Sequence, residues 1–335
     1  MTRCAKRSET RQPAQLRGVT GPRPSRERLA MLAGMAGLAA LLACGPGGAP
    51  ADEPDAARTP KLLLIGIDGV RPDVLAEVAT PHLDALAAEG AFSSTTRTTS
   101  PSVSGPSWSS MLTGVWPEKH GVTDNEFGGR NYDEFPGFLT RIEQTRPELT
   151  TFAVVDWVPL MELEGGSTAV GPEVDGRELL DGYELGWAEA DGRGTELAVR
   201  QLAEGDPDAV FVYLGNPDEA SHQTASIGVE YRGAIALADR HVGMLVEAVR
   251  SRSTYASEDW LILVSTDHGR RADGGHGGDS PEEMTTFILA SLPTAGQGRI
   301  ERDTFIVDVA ATALAHLGIP IDPAWRLDGR PLGVR

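Results

Sequence analysis

Three short apolar runs in this chain each lead into a carboxylate or an imidazole. Lys61 to Ile67 runs into Asp68, Val210 to Leu214 is followed by Asp218 and His222, and Trp260 to Thr266 runs into Asp267 and His268. Runs this apolar suit strands buried on both faces, as in a parallel sheet. A charge placed directly after such a run needs a partner. In open α/β sheets, ligands bind beyond the carboxyl ends of the strands. Three acidic or histidine clusters at three such ends therefore point to one shared site.

The rest of the chain fits that frame. Helical patterns alternate with strand-like runs: Pro72 to Glu89 reads as helix broken near Pro81, Leu149 to Val155 as strand, and Gly194 to Glu204 as helix. Further on, Val229 to Ser251 has helical spacing, Glu283 to Leu292 reads as strand, and Thr304 to Leu317 as a closing helix. Such alternation predicts an α/β domain with a mostly parallel central sheet covered on both faces. Segments 115–150 and 156–193 interrupt the pattern and are expected to wall a substrate pocket.

The first 43 residues read as an export signal. Arg23, Arg26 and Arg28 precede an apolar stretch from Leu29 to Ala43 that stops at Cys44. A basic start, a short apolar core and a small-residue exit define such a signal. The stretch is shorter than the roughly 20 residues that span a bilayer comfortably. Leu41 to Cys44 resembles a bacterial lipobox, which makes Cys44 the expected lipidation site and the cell envelope the expected location. Cleavage after Ala51 is the alternative. The Gly-, Ala- and Pro-rich stretch from Gly45 to Pro60 then serves as a tether. The chain has two cysteines, Cys4 and Cys44, so a chain starting at Cys44 forms no internal disulfide. The leader carries eight basic and two acidic residues, leaving 22 and 46 and a formal balance of −24. That surface repels polyanions and excludes tracking along nucleic acid, but tolerates a small phosphate ester neutralised by metal.

Ser104 precedes Gly105 and Pro106, which suit a tight turn into a helix whose first turn is Ser107 to Ser110. A helix N-terminus welcomes an anion, although serine there is commonly just a cap, and neighbouring serines leave the choice open. Asp218 and His222 share a face if their stretch is helical. His276 lies in a glycine-rich loop. Oxygen and nitrogen ligands with no thiolate suit Zn²⁺, with Mn²⁺ as the lesser option.

Taken together, Ile67 to Gly69, Ser104 to Pro106, Thr113-Gly114, Pro117 to Gly121, Asp218 with His222, Asp267 to Gly269 and Gly275 to Gly277 resemble the alkaline phosphatase superfamily. The nearest branch is the nucleotide pyrophosphatase/phosphodiesterase one, and the likeness covers nearly all of 61–335. It implies a three-layer α/β sandwich and a pair of divalent ions. Asp218, His222 and His276 would hold one; Asp68, Asp267 and His268 would hold the other, which also binds the nucleophile Ser104. The implied reaction is hydrolysis of a phosphate ester through a phosphoserine, with Ser107 contacting the phosphoryl group. Phosphodiesters or pyrophosphates are favoured. Monoesters, sulfate esters or phosphonates on the same site are alternatives, as is a non-catalytic anion-binding surface lipoprotein. The branch commonly has Thr as nucleophile, then Asn and His three and four residues on; here these are Ser104, Ser107 and Trp108. The sulfatase pattern lacks its Arg at Trp108. Arg97, Arg270 or Arg271 could reach a monoester's extra charge through loops, and Asn125 and Trp157 read as a turn residue and a core aromatic, or else as substrate contacts.

Overall fold

Alternating side chains along the central strands dictate a sheet with two apolar faces, and that is what forms. A computed structural model describes residues 58–291, 298–300 and 302–333. Its strands are β1 (Thr59–Ile67), β2 (Ala91–Arg97), β3 (Thr151–Val155), β4 (Gly176–Leu179), β5 (Ala209–Leu214), β6 (Glu258–Ser265), β7 (Thr285–Ser291) and β8 (Gly298–Arg299). They make one sheet in the order β4-β3-β5-β1-β6-β7-β2-β8. β7 runs antiparallel to both neighbours, and every other pairing is parallel.

The period of two in β1 separates the two layers. Leu62 and Leu64 face the helices Ser104–Thr113, Phe138–Thr145 and Asp308–His316, where Trp108, Met111, Ile142 and Val309 complete a core. Leu63, Ile65 and Ile67 face the opposite layer, built on Pro81–Glu89, Trp187–Glu204 and Val229–Arg250. Alternation of this kind buries both sheet faces. The α/β three-layer expectation holds.

Most element boundaries match the sequence reading to within two or three residues. The helix before β5 begins at Trp187, earlier than Gly194. The serine helix also starts early, at Ser104, so Gly105 and Pro106 lie inside its first turn rather than in a turn before it. β2 has no counterpart in the sequence reading: its stretch is Ser- and Thr-rich, and Ser93 and Thr96 bury their hydroxyls against Thr304. β1 takes Thr59 and Pro60 from the expected tether. Residues 1–57, which hold the expected export signal, Cys44 and most of that tether, lie outside the described residues.

Topology decides where the chemistry goes. β5, β1 and β6 are adjacent and parallel. Their carboxyl ends therefore fall side by side, and the three clusters meet on one rim of the sheet.

Candidate active site

The ends of β1, β5 and β6 are stitched together by the residues that follow them. The Asp68 N–H donates to the Leu214 carbonyl at 2.9 Å, and the Gly69 N–H donates to Asp267 Oδ1 at 3.1 Å. The Val70 N–H reaches Thr266 Oγ1 at 2.8 Å. Asp68, Asp267 and His268 are fully buried there. Asp218 and His222 sit one turn apart on the helix Asn216–Thr224 that follows β5. Their shared face is formed as expected, with His222 Nε2 3.1 Å from Asp218 Oδ2.

Backbone carbonyls fix the imidazole tautomers. His268 Nδ1 lies 2.9 Å from the Gly269 carbonyl, and His276 Nδ1 lies 2.9 Å from the Ser102 carbonyl. A carbonyl only accepts, so both rings carry their proton on Nδ1 and turn an Nε2 lone pair inward. His276 Nε2 meets His222 Nε2 at 2.9 Å. The loop bearing His276 is clasped to the segment before Ser104, since Ser102 Oγ donates to the Gly278 carbonyl and accepts from the Gly277 N–H. Ser104 Oγ stands 3.2 Å from His268 Nε2, at the first residue of a ten-residue helix.

Two groups of ligand atoms result, each drawn within 4.8 Å: Asp218 with His222 and His276, and Asp68 with Asp218 and His268. The first is the set expected from sequence. The second differs, because Asp218 stands between both groups and brings Oδ1 to 3.9 Å from His268 Nε2. Asp267 Oδ2 is closer, 3.4 Å from the same nitrogen. Asp68 Oδ1 and Asp267 Oδ2 are buried and have no hydrogen-bond donor from the protein. Buried carboxylate oxygens without donors, facing inward lone pairs, suit a divalent cation held by oxygen and nitrogen.

Electrostatics tell the same story. Burial, then the Asp218 charge, push the Asp68 carboxyl up to about 7. Burial and Asp68 raise Asp267 well above the ordinary range. Burial also acts on Asp218, but the Arg270 guanidinium and the surrounding imidazoles outweigh it and hold Asp218 well below that range. Burial, reinforced by His276, depresses His268 and keeps it neutral. Arg270 is itself fully buried. It ion-pairs with Asp218, donates to the Gly69 and Gly274 carbonyls, and packs over the Tyr231 ring. It is a buried counter-ion and does not line the pocket beside Ser104. Arg271 is engaged by Glu283.

A pocket of about 90 Å³ opens onto this cluster, lined by Ser104, Asn125, Trp157, Tyr183, Trp187 and Glu219 beside the ligands. Both inserted segments contribute, as expected. Ser107 does not line it: its side chain is fully buried and accepts from Thr98 Oγ1 at 3.1 Å. Its expected contact with substrate has no geometric support. Asn125 takes the place by the nucleophile instead, its Oδ1 accepting from the Gly105 N–H at 2.7 Å. A Cβ on residue 105 would stand 2.5 Å from the Asp124 carbonyl oxygen, so only glycine admits this loop. The contact spends one N–H of the helix start; Pro106 has none, and the Ser107 N–H bonds to the Val103 carbonyl. Asn125 thereby keeps a side-chain NH₂ group in the pocket beside Ser104. Trp157 is the core aromatic of its first reading, packed at 5.7 Å on Phe127, and it also lines the pocket. A larger cavity of about 630 Å³, between Pro72–Leu75, Pro81–Glu89 and strands β2 and β7, is mostly apolar and holds none of these ligands. Its size does not outweigh the chemistry of the smaller one.

Comparison with known proteins agrees with this geometry. Residues 62–273 match the family model of type I phosphodiesterase / nucleotide pyrophosphatase. Human ectonucleotide pyrophosphatase/phosphodiesterase family member 7 is 27% identical over 266 residues, covering 73% of this chain and 55% of that protein. The bis(5'-adenosyl)-triphosphatase of Bos taurus is 24% identical over 222 residues, covering 64% and 48%. The chain spans about half the length of the curated relatives it matches. Among solved structures, the phosphonate monoester hydrolase of Agrobacterium radiobacter shares the fold with a TM-score of 0.63 at 18% identity, over 82% of this chain and 79% of that one. An inactive murine ectonucleotide pyrophosphatase / phosphodiesterase 5 in complex with AMP gives 0.60 at 14%, over 79% and 96%.

Proposed function

This chain belongs to the type I phosphodiesterase / nucleotide pyrophosphatase family, and we propose that it hydrolyses phosphodiester or pyrophosphate bonds of small substrates with Ser104 as nucleophile. The observation that carries the reading is Ser104 Oγ, at a helix N-terminus, 3.2 Å from Nε2 of a neutral buried imidazole, beside two buried carboxylate oxygens, Asp68 Oδ1 and Asp267 Oδ2, that have no donor.

Asp218, His222 and His276 would hold one divalent ion, and Asp68, Asp267 and His268 a second, with Asp218 between them. Zn²⁺ fits this donor set best, and Mn²⁺ less well. Bound there, the ions supply positive charge that lowers the serine's pKa and offsets charge on the departing oxygen. The remaining work falls to the chain's own groups. Ser104 gives its hydroxyl proton to solvent, and its Oγ forms a bond to phosphorus as the bond to the leaving oxygen breaks; that oxygen takes up a proton from solvent, and a phosphoserine results. Water then attacks phosphorus and gives up a proton, the bond from Ser104 Oγ to phosphorus breaks, Oγ is reprotonated and the phosphate product leaves. The Asn125 amide donates to a phosphoryl oxygen in both steps, held beforehand so that little reorganisation is needed. Trp157, Trp187 and the exposed Tyr183 offer apolar and aromatic surface to whatever the phosphate carries.

Diesters are favoured over monoesters because no lysine or arginine lines the described pocket. A monoester's extra charge would find no side-chain cation there. The AMP bound to the murine relative supports a nucleotide-like substrate class. Anchoring through Cys44 at the cell envelope belongs to the same proposal, and mass spectrometry of membrane-extracted protein would test it.

Rates on aryl phosphodiester, phosphomonoester and sulfate substrates, beside metal analysis, are the test. The diester should be preferred and Ser104→Ala should lose nearly all turnover with metal content intact. Unchanged turnover in Ser104→Ala removes the nucleophile, and a faster sulfate ester overturns the substrate class.

A further inference from the structure

Asp68 uses its two carboxylate oxygens differently. Oδ2 accepts from Trp108 Nε1 at 2.8 Å and from Tyr213 Oη at 2.5 Å. Oδ1 has no donor and stands 3.5 Å from His268 Nε2. Both donors are buried in the core beneath the site, on different elements: Trp108 in the second turn of the serine helix, Tyr213 near the end of β5. Their rings brace one another edge to face, with centroids 5.0 Å apart.

We propose that Trp108 and Tyr213 act as a two-donor clamp that fixes the Asp68 carboxylate so that Oδ1 alone is presented to a cation. They act through Asp68 Oδ2 and leave Oδ1 free, and so are positioning residues; Tyr213 also borders the pocket. The inference rests on the reading above that these side chains hold divalent ions.

The packing is built around this arrangement. The Trp108 ring lies so close to β1 that a Cβ on residue 66 would come 2.6 Å from its Cζ3. Glycine at 66 is what lets the indole slide under Asp68. Trp108 also stands directly over the turn that carries Ser104, so one indole ties the nucleophile's helix to a ligand of the adjacent strand. A carboxylate with both lone pairs of one oxygen occupied has little freedom to rotate about its Cβ–Cγ bond. It binds as a monodentate ligand, with its direction set before the ion arrives. Partners that orient a ligand in this way typically change metal affinity by about 10–100-fold when removed.

Zn²⁺ titration against a competing chelator, on the full-length protein and two variants, tests the clamp. Tyr213→Phe keeps ring and packing while removing one donor, and Trp108→Phe removes the other together with some bulk. We expect a two-step Zn²⁺ isotherm in the unaltered protein. In Tyr213→Phe one step should weaken by about 10-fold while the other and the thermal midpoint of the metal-free protein stay put. Trp108→Phe should weaken the same step, whatever it loses in stability. Unaltered affinities in Tyr213→Phe overturn the clamp, as does equal weakening of both steps. A parent protein that takes up no Zn²⁺ overturns instead the reading of these residues as ligands, so the two failures are told apart.

Discussion

The two candidate ligand groups differ in how they are held. Asp68, Asp267 and His268 grow directly out of β1 and β6, are fully buried, and have their orientations set by Gly69, Trp108, Tyr213 and the Gly269 carbonyl. Asp218, His222 and His276 ride on a surface helix and a glycine-rich loop, and the His222 side chain is 41% exposed. One group is part of the core; the other is assembled by a clasp at Ser102 and by Arg270. Alanine at each should separate them. His268→Ala leaves Asp68 and Asp267 without their neighbour in a dry site and should abolish turnover, with about 2–3 kcal/mol of lost stability. His222→Ala should also cost most of the turnover but stay within about 0.5 kcal/mol in stability, as exposed sites do. Denaturant melts beside diester rates make the comparison, and equal stability losses would break it.

Arg270 is where the two groups touch. Its guanidinium joins Gly69 at the end of β1, Asp218 on its helix and Gly274 in the loop of His276. Replacing one partner of a buried ion pair leaves the other charge uncompensated, at a cost of about 3–5 kcal/mol. Arg270→Met should destabilise the chelated protein by close to that amount, and saturating Zn²⁺ should restore part of it by mass action and by supplying charge near Asp218. No recovery with metal would mean that Arg270 acts on packing alone. Next in size is Asn125→Ala, expected to lower kcat by about 10²-fold with KM little changed, since the amide is assigned to the transition state.

Why the sequence left Asn125 open between a turn residue and a substrate contact, yet singled out Asp68, is a matter of local signal. Asp68, Asp218, Asp267 and their histidines follow apolar runs, and a charge at the end of a buried strand announces itself. Parallel order of β5, β1 and β6 then brings them together with no further information. Asn125 lies in an insertion without periodicity, and its place depends on Gly105 leaving room for a loop from 20 residues downstream. The glycine was the available clue, legible only once the helix was known to begin at Ser104. Ser107 misled for the converse reason: spacing put it one turn after the nucleophile, but that turn points into the core. Arg270 reads as a loop cation beside Arg271, and only burial distinguishes them. The β2 strand was hidden by hydroxyl-rich composition that its partner Thr304 satisfies.

The smallest expected effect concerns a carboxyl pair behind the pocket that the chemistry does not use. Asp156, directly after β3, and Asp191, on the helix Trp187–Glu204, are both fully buried. Asp191 Oδ1 accepts from the Gly215 and Asn216 N–H groups, and its Oδ2 and both Asp156 oxygens lack other donors. Burial pushes Asp191 up to about 6. Burial and the Asp191 charge raise Asp156 well above the ordinary carboxylate range. A carboxyl whose pKa rises on folding contributes stability below its unfolded value and loses it as pH climbs through the folded one. For Asp191 that window runs from 3.8 to about 6, and for Asp156 it extends higher. The pair therefore favours a shared proton, and the Zn²⁺-saturated protein should lose stability as pH climbs from 3.8 through about 6 and further above it. Asp156→Asn puts an amide donor beside Asp191, which can then ionise at less cost, so the loss over that range should shrink by about 2 kcal/mol. In a thermal melt this is a flattening of roughly 4–8 °C. A slope as steep in Asp156→Asn as in the parent would place the pH sensitivity among the ligands, and the division between core-held and clasped groups would have to be redrawn.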